Sequence, residues 1–177
     1  MYKRQILSTS IVLFTEGRVA ALTHQEITEL YSRHADMVYR VCFLFLKNEA
    51  DTQDMVQNTF VKLIQHPQTF QNPEHEKAWL IVTASNLCRD FLRHWWRKTV
   101  SLSSVPEEAA PSFPIDETLQ QVLSLPGRYK MPVYLYYYEG YSCAEVAAIL
   151  HKKESTVRGL LRRGRLLLKL ELEGDIQ

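Results

Sequence analysis

Residues Ser155 to Leu170 read STVRGLLRRGRLLLKL, and this stretch decides the architecture. Wound into a helix at about 100° per residue, it divides into two faces. Val157, Leu160, Leu161, Gly164, Leu167 and Leu168 make an apolar face. Arg158, Arg162, Arg165 and Lys169 lie together on the opposite side, with Ser155 at its start. Gly164 falls mid-face on the apolar side, where a missing side chain lets another helix come close. Residues 151–170 carry seven basic side chains against one carboxylate, Glu154, a local net charge of +6 in a chain of net charge +1. A cationic stripe on a well-packed helix is the form of a helix that enters a DNA groove. Most charge runs are solvated faces. Here a single carboxylate interrupts the stripe, and a helix–turn–helix pattern stands directly before it.

Working outward, Ser142 and Glu145 form a capping box, in which each side chain satisfies a free backbone N–H of the first turn. Val146, Ala147, Ile149 and Leu150 are the inner face of the short helix that follows. Residues His151 to Glu154 make a tight turn into the arginine helix, and small Ala147 suits the place where the two helices touch. The turn lacks the usual glycine, but histidine tolerates positive φ. Before this unit, Arg128 to Glu139 read as a tyrosine-rich helix that Gly140 ends. Pro132 within it predicts a late start or a kink. A short helix near 116–125 stops at Leu125-Pro126-Gly127.

Upstream, TVSLSSVPEEAAPSFPI at 99–115 holds three of the seven prolines and no helical period, so it reads as a flexible linker. The N-terminal unit opens at Thr23, which forms a capping box with Glu26. Ile27, Leu30, Tyr31, Val38, Val41, Cys42, Phe45 and Leu46 recur at helical spacing up to Lys47-Asn48. Asp51 is the expected cap of a second helix, 52–65. Its inner face is Val56, Thr59, Phe60, Leu63 and Ile64, and its outer face is Asp54, Gln57, Asn58 and Val61. An outward valine among short polar side chains is either a protein-contact patch or an ordinary surface valine.

After a loop containing Phe70, EKAWLIVTASNLCRDFLRHWWRK predicts a third helix over 75–98. Leu80, Ala84, Leu87, Cys88, Phe91 and Trp95 face inward; Trp79, Val82, Asn86, Arg89, Arg93, Trp96 and Arg97 face outward. Arginines suit phosphates. Aromatics offer stacking platforms for unpaired bases, and asparagine can hydrogen-bond a base edge. The competing reading packs the tryptophans against neighbouring helices.

Composition narrows the class. Of 177 residues, 46% are hydrophobic and 23% charged, as in a folded globular chain. Cys42, Cys88 and Cys143 are odd in number and lack CxxC spacing, so reduced cysteines of a cytoplasmic protein are expected, with neither disulfide nor zinc framework. Residues 101–127 hold four carboxylates and no Lys or Arg, so nucleic-acid contact must be local. The opening MYKRQILSTSIVLF is short for a secretory signal and is broken by Ser8, Thr9 and Ser10. Glu16 and Arg18 occupy the place of a small, neutral cleavage region. No metal site, cofactor site, paired-carboxylate, nucleophile or phosphate-loop motif is present, which argues against an enzyme.

Five segments, LYSRHADMVYRV, ADTQDMVQNTFVKL, AWLIVTASNLCRDFLR, LPGRYKMPVYLYYYEGYSCAEVAAIL and STVRGLLRRGR, occur in this order across residues 26–172. Together they resemble a bacterial RNA polymerase sigma factor, of the extracytoplasmic-function group that keeps only the two core domains. The expected fold is all-α: two small helical domains joined by a flexible linker, the second a helix–turn–helix domain. The resemblance implies a mobile extension at 1–22, a region 2 domain at 23–98, the linker at 99–115, a region 4 domain at 116–173 and an acidic tail at 174–177.

It also implies partners. Core polymerase would be met through the clamp helices of the largest subunit by Asp54, Gln57, Asn58, Phe60 and Val61, with Asn58 standing where the family usually has Glu. The second domain would bind the flap of the second-largest subunit. Phe70, Trp79, Asn86, Arg89 and Arg93 would melt the minus-ten element and capture a flipped base. Ser155, Arg158, Arg162, Arg163 and Arg165 would read the minus-thirty-five element, where Gly159 and Leu160 depart from the usual polar or basic residues. The group commonly has an anti-sigma factor as a further partner, and no small-molecule substrate is implied. The alternative is a stand-alone helix–turn–helix regulator that binds duplex DNA without polymerase.

Overall fold

A computed structural model describes residues 23–99 and 116–174, with side chains to Trp95 and from Asp116 to Leu168. The extension 1–22, the linker and the end of the acidic tail lie outside the described residues. All regular structure among the described residues is helical.

Helix α1, His24–Leu46, starts at the Thr23–Glu26 capping box and stops where Lys47 turns left-handed at φ 53°. Helix α2, Glu49–Gln65, begins earlier than Asp51. Asn48 is its cap, with its side-chain oxygen accepting from the Asp51 N–H at 3.2 Å; an asparagine three residues upstream does what was expected of the aspartate. Helix α3, Pro73–Thr99, opens on a proline, whose missing N–H is no loss in a first turn. Asn72 accepts from the His75 N–H at 2.8 Å.

These three helices pack on one another around Val38, Val41, Leu63, Leu80, Ile81 and Ala84. Cys42 and Cys88 are free and buried there. The neighbouring Cys88 thiol and burial push the Cys42 thiol up, which keeps it protonated and unreactive. His34 and Arg33 of α1 both reach Glu76 at the start of α3, at 2.6 and 2.9 Å.

The second unit begins with α4, Glu117–Ser124, capped by Asp116, which accepts from the Leu119 N–H at 2.8 Å. Helix α5, Gly127–Val133, does not start late: it begins ahead of Pro132 and widens after Val133 into a π-helical segment, Tyr134–Tyr138. The widening follows directly on the residue that brings no N–H to the ladder. Gly140 leaves the segment at φ 77°. Helix α6, Cys143–Ile149, has the Ser142–Glu145 box, and His151 turns the chain at φ 52° into helix α7, Glu154–Gly174.

Gly164 is where α7 meets α5. A Cβ there would stand 2.7 Å from Val133 Cγ2 and 3.7 Å from Tyr129 Cβ. With Val157 and Leu161 buried on the same side, this contact fixes which face of α7 points outward.

The two units touch. Arg40 of α1 donates from Nε to the Tyr134 hydroxyl at 3.4 Å and lies 5.4 Å from the Tyr138 ring centre. Lys77 of α3 pairs with Glu139 at 2.6 Å and lies 5.3 Å from the Tyr141 ring centre. The Tyr134 hydroxyl donates in turn to Glu139, and burial first, then the Glu139 charge, pushes this phenol well above its ordinary range. Nothing in the spacing of these residues announces that they meet.

Candidate nucleic-acid and polymerase interfaces

The inward face of α7 fixes its outward one. Ser155, Arg158, Gly159, Arg162, Arg163, Arg165 and Leu166 are exposed. Arg158 is held back along the helix by Glu154, with donors at 3.1 and 2.6 Å from one carboxylate oxygen. Arg162 stands on a ridge between two depressions. One is a notch of about 590 Å³ on the side of Thr156, Gly159 and Arg163. The other is a cleft of about 720 Å³ lined by Val122, Val133, Tyr137 and Leu168 as well as Arg162 and Arg165. Arg165 therefore borders an apolar cleft as well as the cationic stripe. Leu166, 54% exposed, contributes to both depressions.

On α3, Asn86, Arg89 and Arg93 are exposed and in line. Arg89 donates to the Asn86 side chain at 3.0 Å and lies over the Phe45 ring at 5.6 Å; Arg93 pairs with Asp90. Trp79 and Phe70 are half-buried and packed on the core, edge to face with centres 6.0 Å apart. The loop phenylalanine thus folds back against the tryptophan, two helical turns before Asn86, and the pair forms one aromatic shelf. Trp96 and Arg97 lie outside the described side chains.

On α2, Asp54, Gln57, Asn58 and Val61 are exposed together. One inner-face expectation holds there and one fails. Phe60 is only 5% exposed, as its place on the inner face implies, and tilts against Tyr31 at 4.8 Å between ring centres; of the five residues the resemblance assigns to polymerase contact, it lies beneath the patch. Ile64, expected inside, is 45% exposed. Thr52 and Met55, not expected inside, are buried, because α2 packs against both α1 and α3 and its buried arc is rotated toward them.

Residues 30–98 match the family model for Sigma-70 region 2, and residues 115–168 match that for Sigma-70 region 4. The chain is an extracytoplasmic-function sigma factor. It is 30% identical over 146 residues to the RNA polymerase sigma factor SigV of Bacillus subtilis, covering 78% of this chain and 86% of that protein. It is 30% identical over 155 residues to the ECF sigma factor SigE of Mycolicibacterium smegmatis, covering 80% of this chain but only 59% of that protein's length. Its fold is similar to that of the sigma factor RpoE of Bartonella quintana, solved with the anti-sigma factor NepR. The TM-score is 0.71 at 18% identity, over 84% of this chain and 98% of that one.

A sigma factor is the promoter-specificity subunit of bacterial RNA polymerase, and the match of both units in order leaves the stand-alone regulator without support. No described helix of this sigma factor is long and apolar enough to cross a membrane.

Proposed function

We propose that this sigma factor divides promoter reading between two faces and core binding between two others, in the cytoplasm, by binding and not by catalysis. The region 2 domain is assigned to 23–98 and the region 4 domain to 116–173. The observation that carries the reading is the outward face of α7, where Ser155, Arg158, Arg162 and Arg163 are exposed while Gly164 locks the helix against α5. Such a face suits the major groove of the minus-thirty-five element, where arginine pairs with guanine edges. Asn86, Arg89 and Arg93, with the Trp79–Phe70 shelf, suit the opened minus-ten strand.

Asp54, Gln57, Asn58 and Val61 form the surface for the clamp helices. The apolar cleft bordered by Arg165 suits the flap. An anti-sigma factor would have to cover one or more of these faces.

Elements centred about 25 base pairs apart stand ~85 Å apart at about 3.4 Å per pair. Residues 100–115, sixteen in number, reach at most ~55 Å when extended. Occupying both elements therefore requires the Arg40–Tyr134 and Lys77–Glu139 contacts to open. Run-off transcription with core polymerase on a randomised promoter library tests the assignment. It should yield two spaced elements, the upstream one lost in Arg162→Ala. Failure to bind core polymerase at low salt would refute it.

A further inference from the structure

Gly159 is unlike Gly164. A Cβ at Gly164 would collide with α5, whereas one at Gly159 meets nothing within 4 Å. A glycine inside a helix costs about 1 kcal/mol relative to alanine, and at Gly159 packing does not explain it. Gly159 forms the floor of the open notch on the outward face, between Thr156 one turn before and Arg162, Arg163 and Leu166 one to two turns after.

The chemistry of the notch is mixed in a definite way. Leu160 and Leu166 supply apolar wall, and the Gly159 backbone, inside a continuous helix, has its N–H engaged within the helix. The guanidinium groups of Arg162 and Arg163 stand at the rim. The Thr156 hydroxyl is a third donor at the rim, while the floor at Gly159 offers none; a small apolar group flanked by hydrogen-bond acceptors fits both floor and rim. In the major groove that description matches the thymine 5-methyl group beside purine edges.

We propose that the Gly159 notch receives the 5-methyl group of a thymine in the minus-thirty-five element, making Gly159 a specificity-determining position. This rests on α7 being the duplex reader.

The test uses the full chain with core polymerase on a promoter selected from a random library. Each thymine of the upstream element is replaced in turn by uracil, which removes only the methyl. At one position the affinity should fall about fourfold, the worth of one buried methyl. Gly159→Leu fills the notch with a better helix former, so its melting temperature should not fall. Its affinity for the thymine duplex should drop, and its thymine-to-uracil ratio should go to one or below.

A selected upstream element without thymine, uracil tolerated at every position by the wild type, or an unchanged thymine preference in Gly159→Leu each overturns the inference. If Arg162→Ala still weakens the upstream element in those cases, the duplex-reading role of α7 stands and only the notch assignment falls. If no upstream element is selected at all, both fall.

Discussion

Lys77→Ala should release the two domains from each other. The Lys77 side chain is 24% exposed and that of Glu139 8%, so this pair is far better shielded from water than a surface ion pair. Removing one partner of a buried pair costs ~3–5 kcal/mol. Two facts reduce the figure here. Lys77 is partly hydrated, and Glu139 keeps the hydrogen bond from Tyr134. We therefore expect ~1–3 kcal/mol against the closed arrangement, a shift of roughly 5- to 150-fold toward the open one.

Small-angle X-ray scattering reads this directly. A compact chain of this length has a radius of gyration near 16 Å. Two domains held by a flexible linker of this length should give ~25 Å. The variant should move toward the larger value while far-UV circular dichroism stays unchanged. Lys77 lies outside the proposed promoter and clamp surfaces, so with core polymerase the variant should form promoter complexes at least as readily as the wild type. A variant that keeps the compact radius would refute the claim that this pair holds the domains together. One that loses helicity would show Lys77 to be needed within its own domain.

Arg162→Ala should weaken the upstream element by about 5- to 150-fold, from ~1–3 kcal/mol per bidentate contact, and should weaken core binding far less, since Arg162 only edges the apolar cleft and the α2 surface is untouched; equal loss in both assays contradicts its placement on the DNA face. Asn86→Ala also frees Arg89 from its 3.0 Å contact, and should reduce permanganate reactivity of the melted strand more than duplex binding. Gly164→Ala forces a Cβ to 2.7 Å from Val133 Cγ2; overpacking of about 1–3 kcal/mol less the ~1 kcal/mol that alanine gains in a helix should leave the second domain destabilised by up to about 2 kcal/mol, seen in thermal unfolding.

Asp116 predicts a pH dependence. The Leu119 N–H first, then the Tyr138 hydroxyl at 2.7 Å, hold its carboxyl below the ordinary range. A depressed carboxyl contributes its full stabilisation above the unfolded value near 3.9 and loses it as pH falls through the folded value. Asp116→Asn keeps a capping oxygen but should abolish that part of the acid transition followed by circular dichroism.

Much of this sigma factor is written locally. The Thr23–Glu26 and Ser142–Glu145 boxes and the left-handed His151 are short-range instructions, set by which side chains can satisfy a free N–H or accept a given φ. The outward cations of α7 and α3 are likewise readable, because a 3.6-residue period separates them from the leucines. The asparagine cap at 48 was legible in type but not in position, since Asn48 and Asp51 are both competent caps.

Tertiary structure decided what periodicity averages away. It decided that Ile64 turns outward and Thr52 and Met55 inward, because α2 is wedged between two helices and not laid on one. It decided that Phe70 and Trp79 form one shelf, and that Arg40, Lys77, Tyr134 and Glu139 meet across the domains, since residues 62 and 94 positions apart carry no shared period. Ser155–Leu170 shows both levels. Its sequence determined a cationic helix, but the contact of Gly164 with Val133 set its rotation. That rotation placed Arg162 on a ridge, with the Gly159 notch on one side and the apolar cleft on the other, because packing fixes the angle that sequence leaves free.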